Sequence, residues 1–376
     1  MDVLITGGAG FVGTHLSRRL LAQGHFITIL DSFLPQVHGA RQQLPSDLQG
    51  HVRLIRGDVS EASVLERALP NAQCIIHLAA ETGTGQSMYE VARYGRTNLT
   101  GTTLLCDLLV RGAAKKLERL VVASSRAIYG EGAYRCPDHA VVYPLPRSVP
   151  EKVKGLFEPL CPDCGGECSS IPTPESAPFQ PSSFYGLTKQ VQEQTVLMFG
   201  QVLGIPSLAL RYQNVFGPGQ SLQNPYTGIL AIFSNLARQG RTIRIFEDGQ
   251  ESRDFVYIDD VVTATSACVS LPLEGCHALN IGSGKRTSVL EVAEAVNTFH
   301  GGASEIAITG DFREGDIRHG LADLTKSEAI IQYRPQWSFC EGLQHFLEWA
   351  MGTDPEESGY ERSMAEMKER GLLHGK

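Results

Sequence analysis

One turn near the start of the chain limits what the rest can be. Residues 3–13 read V-L-I-T-G-G-A-G-F-V-G. Val3, Leu4 and Ile5 form the short, unbroken apolar run of a strand buried on both faces. Gly7, Gly10 and Gly13 follow at G-x-x-G-x-x-G spacing. An apolar helical pattern then opens with Phe11 and Val12 and continues through Leu16, Leu20 and Leu21. The glycines have separate reasons: a tight strand-to-helix turn, close approach of backbone to a pyrophosphate, and close packing of helix on strand. The helix N-terminus adds free N–H groups and a positive dipole end, an anion site. Phe26–Leu30 reads as a second strand and Asp31 ends it, near the distance at which a carboxylate takes ribose hydroxyls. A carboxylate there repels a 2′-phosphate, so the pattern points to NAD rather than NADP.

The pattern then repeats. Val52–Arg56 is a third strand closed by Gly57-Asp58-Val59. Asp58 stands either against an adenine or as the N-cap of a helix at Ala62–Leu69. Cys74–Leu78 is a fourth strand running into Ala79 and Ala80, small residues where a cofactor can press. Asn98–Leu109 reads as a long helix and Arg119–Ala123 as a fifth strand, with Ser124 and Ser125 at its carboxyl end. Alternating strands and helices make a doubly wound parallel sheet of the Rossmann type, with ligands beyond the carboxyl strand ends. Helix resumes at Phe184, and Ser207–Arg211 is a sixth strand. Short strands and helices after Asn214 read as a smaller α/β lobe. The expected organisation is a nucleotide-binding part at 1–213, a substrate lobe at 214–350 and a polar tail at 351–376 holding an exposed helix. Within the first part, 133–182 is an inserted loop rich in Cys and Pro, with no periodicity.

Bulk properties exclude several classes. At 376 residues and a formal charge of -8, without a basic run, the chain is a poor partner for nucleic acid. No apolar stretch reaches the ~20 residues of a membrane span. A strand beginning at residue 2 leaves no room for a signal peptide, so a cytoplasmic location is expected. Nine cysteines in such a chain are not read as a disulfide framework.

Tyr185 and Lys189 lie four apart on one helical face. A phenol of pKa ~10 is a poor base at neutral pH, but a neighbouring ammonium and a nicotinamide cation would favour the phenolate. Ser125 can bond the same substrate oxygen. The three make a hydride-transfer site.

With these pieces the chain resembles the extended short-chain dehydrogenase/reductase family, in its nucleotide-sugar epimerase and dehydratase branch. The matching stretches are T-G-G-A-G-F-V-G at 6–13, Asp31, G-D-V at 57–59, H-L-A-A at 77–80, and Asn98 in N-L-T-G-T. They continue with S-S-R-A-I-Y-G at 124–130, Y-G-L-T-K at 185–189 and L-R-Y-Q-N-V-F-G-P-G at 210–219. R-D-F-V-Y-I-D-D-V at 253–261 and R-E-G-D at 313–316 complete the set. The resemblance implies tightly held NAD, touched by the glycine-rich turn, Asp31, Asp58, Val59, Leu78, Ala79, Ala80 and Asn98. It implies catalytic Ser125, Tyr185 and Lys189. A nucleotide-sugar substrate would be held by Arg126 and Asn214, with Arg253 and Arg313 on its pyrophosphate. A homodimer would form through helices at 98–111 and 184–202. Dehydratases of the family carry an Asp-Glu pair where this chain has Arg126 and Ala127, so dehydration is not expected. A 4-epimerase needs no such pair. The S-S-R-A-I-Y-G-E-G stretch before a Cys/Pro-rich loop is similar to enzymes that epimerise dTDP-L-rhamnose at C4. A reductase, which Asp31 disfavours, and a non-catalytic NAD-binding regulator, which the intact Ser/Tyr/Lys set disfavours, are the competing readings.

The loop holds Cys136-Pro137-Asp138-His139 and Cys161-Pro162-Asp163-Cys164. Two like turns about twenty residues apart have zinc-knuckle spacing, and three thiolates with one imidazole would close a structural site. Cys168 is an alternative to His139.

Overall fold

The computed structural model describes residues 1–222, 224, 228–353 and 359–375. Seven strands form the central sheet: β1 (Asp2–Thr6), β2 (Phe26–Asp31), β3 (Arg53–Arg56), β4 (Cys74–His77), β5 (Arg119–Ser125), β6 (Ser207–Tyr212) and β7 (Cys276–Ile281). Every neighbouring pair is parallel, in the order β7-β6-β5-β4-β1-β2-β3. The order reverses between β1 and β4, which opens a crevice at their carboxyl ends.

Alternation along each strand feeds two cores. Val3, Ile5 and Val121 pack on one face with Leu16 of helix α1 (Phe11–Ala22). Leu4 and Val122 pack on the other with Leu65, Leu105 and Val196, the last on helix α2 (Phe184–Leu203). The Ser183 hydroxyl starts α2 by accepting from Gly186 N at 3.1 Å, and Gly204, at φ +67°, ends it.

The smaller lobe is built from two-stranded pieces: Asn214–Phe216 with Phe255–Tyr257, Ile243–Ile245 with Ile306–Ile308, and Ser252–Arg253 with Thr287–Ser288. Phe216, Phe255 and Ile258 belong to the same core as Val3 and Ile5. A division at 213/214 therefore meets a correction: the helix Ile258–Ser270 packs on α1, and β7 joins the large sheet beside β6.

Three further expectations change. The inserted loop is ordered: Tyr134–Cys136 pairs antiparallel with Ala140–Val142 and with Ser169–Ser170. The helix expected from Asn98 begins as a wide π-type turn, Gly95–Thr100, and becomes α-helical at Gly101–Val110. The tail is no exposed appendage. Its helix Tyr360–Glu369 buries Ser363 and Met367, and Leu373–His374 adds to a strand of the smaller lobe.

Candidate active site

A cavity of about 1010 Å³ runs from the carboxyl ends of β1, β2 and β4 into the smaller lobe. Its walls include Gly7, Gly10, Phe11, Val12, Gly13, Asp31, Asp58, Val59, Leu78, Ala79 and Ala80. The same cavity is lined by Ser125, Arg126, Tyr185, Lys189, Asn214, Arg253 and Arg313.

The turn after β1 is shaped by close approach. Gly7 has φ +67°, and a Cβ there would lie 2.8 Å from Ala79 N; a Cβ on Gly13 would lie 2.5 Å from Gly8 Cα. Gly10 provides no side-chain cap for α1 and no acid stands in its first turn, so its positive end is left to the cavity. Asp31 Oδ2 accepts from Ala9 N at 2.9 Å, and Oδ1 from Phe33 N at 2.8 Å. The carboxylate thus holds the glycine-rich loop to the end of β2 and keeps further lone pairs for a ligand in the cavity.

Two of the nucleotide-site residues behave otherwise than expected. Asn98 does not line the cavity. Fully buried, it accepts from Glu81 N at 2.8 Å and donates to Glu81 O at 3.1 Å and Thr188 Oγ1 at 2.9 Å. It ties the loop after β4 to α2, and its place is behind the wall. Asp58 lines the cavity, but the N-cap of the helix Ala62–Ala68 is Glu61; Asp58 Oδ1 accepts from Ser60 N at 2.8 Å in a local turn.

Tyr185, Ser125 and Lys189 sit together, with one correction to their electrostatics. Burial raises the Tyr185 phenol above its ordinary range, opposed by a hydrogen bond with Ser125 and by the charge on Arg126. The Lys189 ammonium is not among the groups acting on it. Lys189 Nζ instead donates to Ala123 O at 2.7 Å and Gln192 Oε1 at 2.9 Å, and burial pushes its pKa down to about 7. Gln192 in turn donates to Thr102 Oγ1 at 2.7 Å, which bonds the buried His77. Helical spacing puts Tyr185 and Lys189 on one face, and the same spacing sets Gln192, three residues on, beside Lys189; that partner was missed. Ser125 also starts the short helical turn Arg126–Tyr129, its Oγ accepting from Ala127 N at 3.1 Å.

The polar end of the cavity is cationic. Arg126 Nε donates to Asn214 Oδ1 at 2.9 Å, and burial, with repulsion from Arg253, lowers the guanidinium to about 9. Arg253 is fixed by the carbonyls of Ser252, Ile317 and Arg318. Arg313 Nε donates to Asp316 Oδ2 at 2.8 Å. Burial alone would raise Asp316, but Arg313, Arg253 and Arg126 hold it below the usual range. Asp316 lies inside the R-E-G-D stretch, yet only its arginine was singled out. Phe246, Glu251 and Tyr360 also line the cavity and belong to no motif.

In the inserted loop, ligand atoms of Cys136, His139, Cys161 and Cys164 all lie within 4.8 Å of one another. His139 Nδ1 is 3.6 Å from both the Cys136 and Cys161 sulfurs, and Cys136 Sγ is 3.8 Å from Cys164 Sγ. Cys168 stands outside the cluster and donates to Pro159 O at 3.2 Å.

A family model described as the NAD dependent epimerase/dehydratase family matches residues 3–150 and 164–282. The chain is 40% identical over 349 residues to a dTDP-L-rhamnose 4-epimerase of Burkholderia thailandensis, covering 92% of this chain and 94% of that relative. A Thermotoga maritima UDP-glucose 4-epimerase solved with UDP-glucose superposes with a TM-score of 0.76 at 26% identity, covering 94% and 99% of the two chains. A Thermus thermophilus UDP-glucose 4-epimerase solved with NAD gives 0.73 at 28%, covering 94% and 100%. Among the described residues no helix is long and apolar enough to cross a membrane. A match over most of its length makes the chain an enzyme of the NAD dependent epimerase/dehydratase family, within the extended short-chain dehydrogenases/reductases.

Proposed function

We propose that the chain is an NAD-dependent nucleotide-sugar 4-epimerase that inverts C4 of a dTDP-6-deoxyhexose of the dTDP-L-rhamnose type through a 4-keto sugar. The observation that carries this reading is one cavity holding the glycine-rich turn, the Ser125/Tyr185/Lys189 group and three arginines. The 40% identity with the Burkholderia enzyme favours that sugar.

The residues fit a dinucleotide. Side chains at Gly7 and Gly13 would collide with backbone, and the first turn of α1 lacks an acid that would repel phosphate. When bound, NAD supplies a hydride acceptor and donor. Tyr185 takes the proton of the sugar O4 and later returns it, while Ser125 bonds the same oxygen. Lys189 as an ammonium completes a polar floor beside Tyr185, fixed by Ala123 O and Gln192. Arg253 and Arg313 hold the diphosphate so that the sugar alone turns over, and Asn214 with Arg126 contacts the sugar side. Arg126 and Ala127 offer neither the acid nor the base that elimination at C5 and C6 needs, which disfavours a dehydratase.

Cys136, His139, Cys161 and Cys164 are read as a structural zinc site. With zinc ~2.3 Å from sulfur and ~2.0–2.1 Å from nitrogen, a tetrahedron has S–S edges of about 3.8 Å and S–N edges of about 3.5 Å. The observed 3.8, 3.6 and 3.6 Å separations fit that shape. Four protein ligands leave no open position for catalysis. The enzyme is read as a cytoplasmic homodimer. Leu187, Met198 and Val202 of α2 and Val110 are exposed apolar residues on the helices expected to pair.

The test is a panel of dTDP- and UDP-sugars given to the purified protein, with product stereochemistry read by NMR and released dinucleotide identified after denaturation. A dTDP-6-deoxyhexose inverted only at C4, with NAD released, is expected. An unsaturated or dehydrated product, or NADP alone, would overturn the reading.

A further inference from the structure

We propose that the C-terminal segment 359–375 is a built-in wall of the nucleotide-sugar pocket, in which Tyr360 binds substrate by donating its hydroxyl to a diphosphate or ribose oxygen. The proposal rests on the nucleotide-sugar reading above.

The segment is fastened on both sides of the cavity. At its end, Leu373–His374 pairs antiparallel with Phe312–Arg313, setting Leu373 opposite Arg313. Glu314 N donates to Leu372 O at 2.9 Å, and the His374 ring stacks on Phe312 at 5.1 Å and bonds Glu314 Oε1 at 2.8 Å. At its middle, the helix Tyr360–Glu369 sets Met367 against Gly85; a Cβ on Gly85 would come within 3.1 Å of the Met367 sulfur. Tyr89 donates to Glu366 Oε2 at 3.3 Å, and the Arg370 guanidinium lies 4.5 Å over the Tyr89 ring. The same 84–90 stretch meets the start of the catalytic helix, where Tyr185 N donates to Ser87 Oγ at 2.9 Å. The tail therefore bridges the strand that carries Arg313 and the stretch that seats Tyr185.

Tyr360 is the residue the bridge presents to the cavity. It lines the wall with Arg313, Arg244 and Phe246. Burial raises its phenol, against the pull of Arg313 and Arg244, so it is a donor at neutral pH. Its hydroxyl has no hydrogen-bond partner among the described residues. A neutral donor beside two guanidinium groups suits a phosphate or ribose oxygen, and hydrogen bonds to charged oxygens are the stronger kind.

The test is calorimetric titration of dTDP and UDP into the NAD-loaded protein, as wild type, as Tyr360→Phe and as a chain ending at residue 353, with KM and kcat measured alongside. Tyr360→Phe should weaken the nucleoside diphosphate about tenfold and raise KM while kcat stays within about twofold. The shortened chain should lose more and keep its NAD. An unchanged Kd in Tyr360→Phe would overturn the proposal, because a tail that only staples the fold does not need the hydroxyl. If the shortened chain does not fold, the phenylalanine variant decides. Failure of the wild type to bind either diphosphate would defeat the nucleotide-sugar reading, a result distinct from equal binding by wild type and variant.

Discussion

Removing one ligand of the proposed zinc site, by Cys161→Ser, should unfold the inserted loop while leaving the sheet intact. Structural zinc contributes on the order of 10 kcal/mol or more to a small site. Fixing backbone costs ~1–2 kcal/mol per residue, so the stretch between Cys136 and Cys164 costs more to order than its metal alone supplies. Packing offsets part of this: Tyr134, Cys136, Val142 and Cys161 form a small buried cluster, each side chain worth no more than ~1.5–3 kcal/mol. Buried Arg147 adds a second anchor, bonding Glu131 at 3.0 Å, Glu247 at 2.8 Å and the Phe157 and Asp316 carbonyls. Without metal this balance tips toward local unfolding, whereas the two main cores do not include the cluster. Because Arg147 holds the Asp316 backbone, loosening the loop should also raise KM for the nucleotide sugar. The assay is metal content per subunit with limited proteolysis and thermal unfolding, before and after chelation. Expected are one zinc per wild-type subunit, none in the variant, new cleavage within 136–164 and a main transition that moves by only a few degrees. A wild type with no zinc, or a chelated protein with unchanged cleavage, would refute the reasoning.

Tyr185→Phe should fold and hold NAD normally but lose on the order of a hundredfold or more in turnover, since it removes the proton acceptor; equal steady-state rates would sink the assignment. Lys189 has its pKa lowered from 10.5 to about 7, so between those values the unfolded chain carries a proton that the folded chain lacks. Its contribution to stability therefore rises with pH across that window, and the burial penalty is fully present below about 7. Denaturant titrations from pH 7 to 10 should show this slope in the wild type and not in Lys189→Met.

Much of the site was legible because its chemistry depends on local spacing. Three glycines three apart between an apolar run and a helical pattern can serve few purposes, and Asp31 follows at a strand end. Tyr185 and Lys189 were legible for the same reason, since helical periodicity puts them on one face. Gln192, three residues past Lys189 on the same helix, was open to the same reasoning and was missed; what spacing does not carry is its link to Thr102 and His77, which only the tertiary fold assembles. Asn98 was expected at the cofactor only by resemblance of its motif, which carries no sign that its amide bonds Glu81 and Thr188 behind the cavity wall. The inserted loop showed no periodicity because a small buried cluster around Tyr134 and Cys161 and the buried Arg147 pairs hold it, in place of an amphipathic stripe. The tail read as exposed because it buries only Ser363 and Met367 on its helix, too little to mark a polar segment as part of a wall.

The central claim is that hydrogen leaves C4 and returns to the same carbon while Tyr185 handles only the proton on O4. A nucleotide sugar deuterated at C4, turned over to equilibrium in ordinary water without added NAD, tests this most directly. The inverted product should keep its deuterium at C4, with no solvent hydrogen incorporated at C3 or C5. Deuterium washed into solvent, or found at C6, would contradict the mechanism.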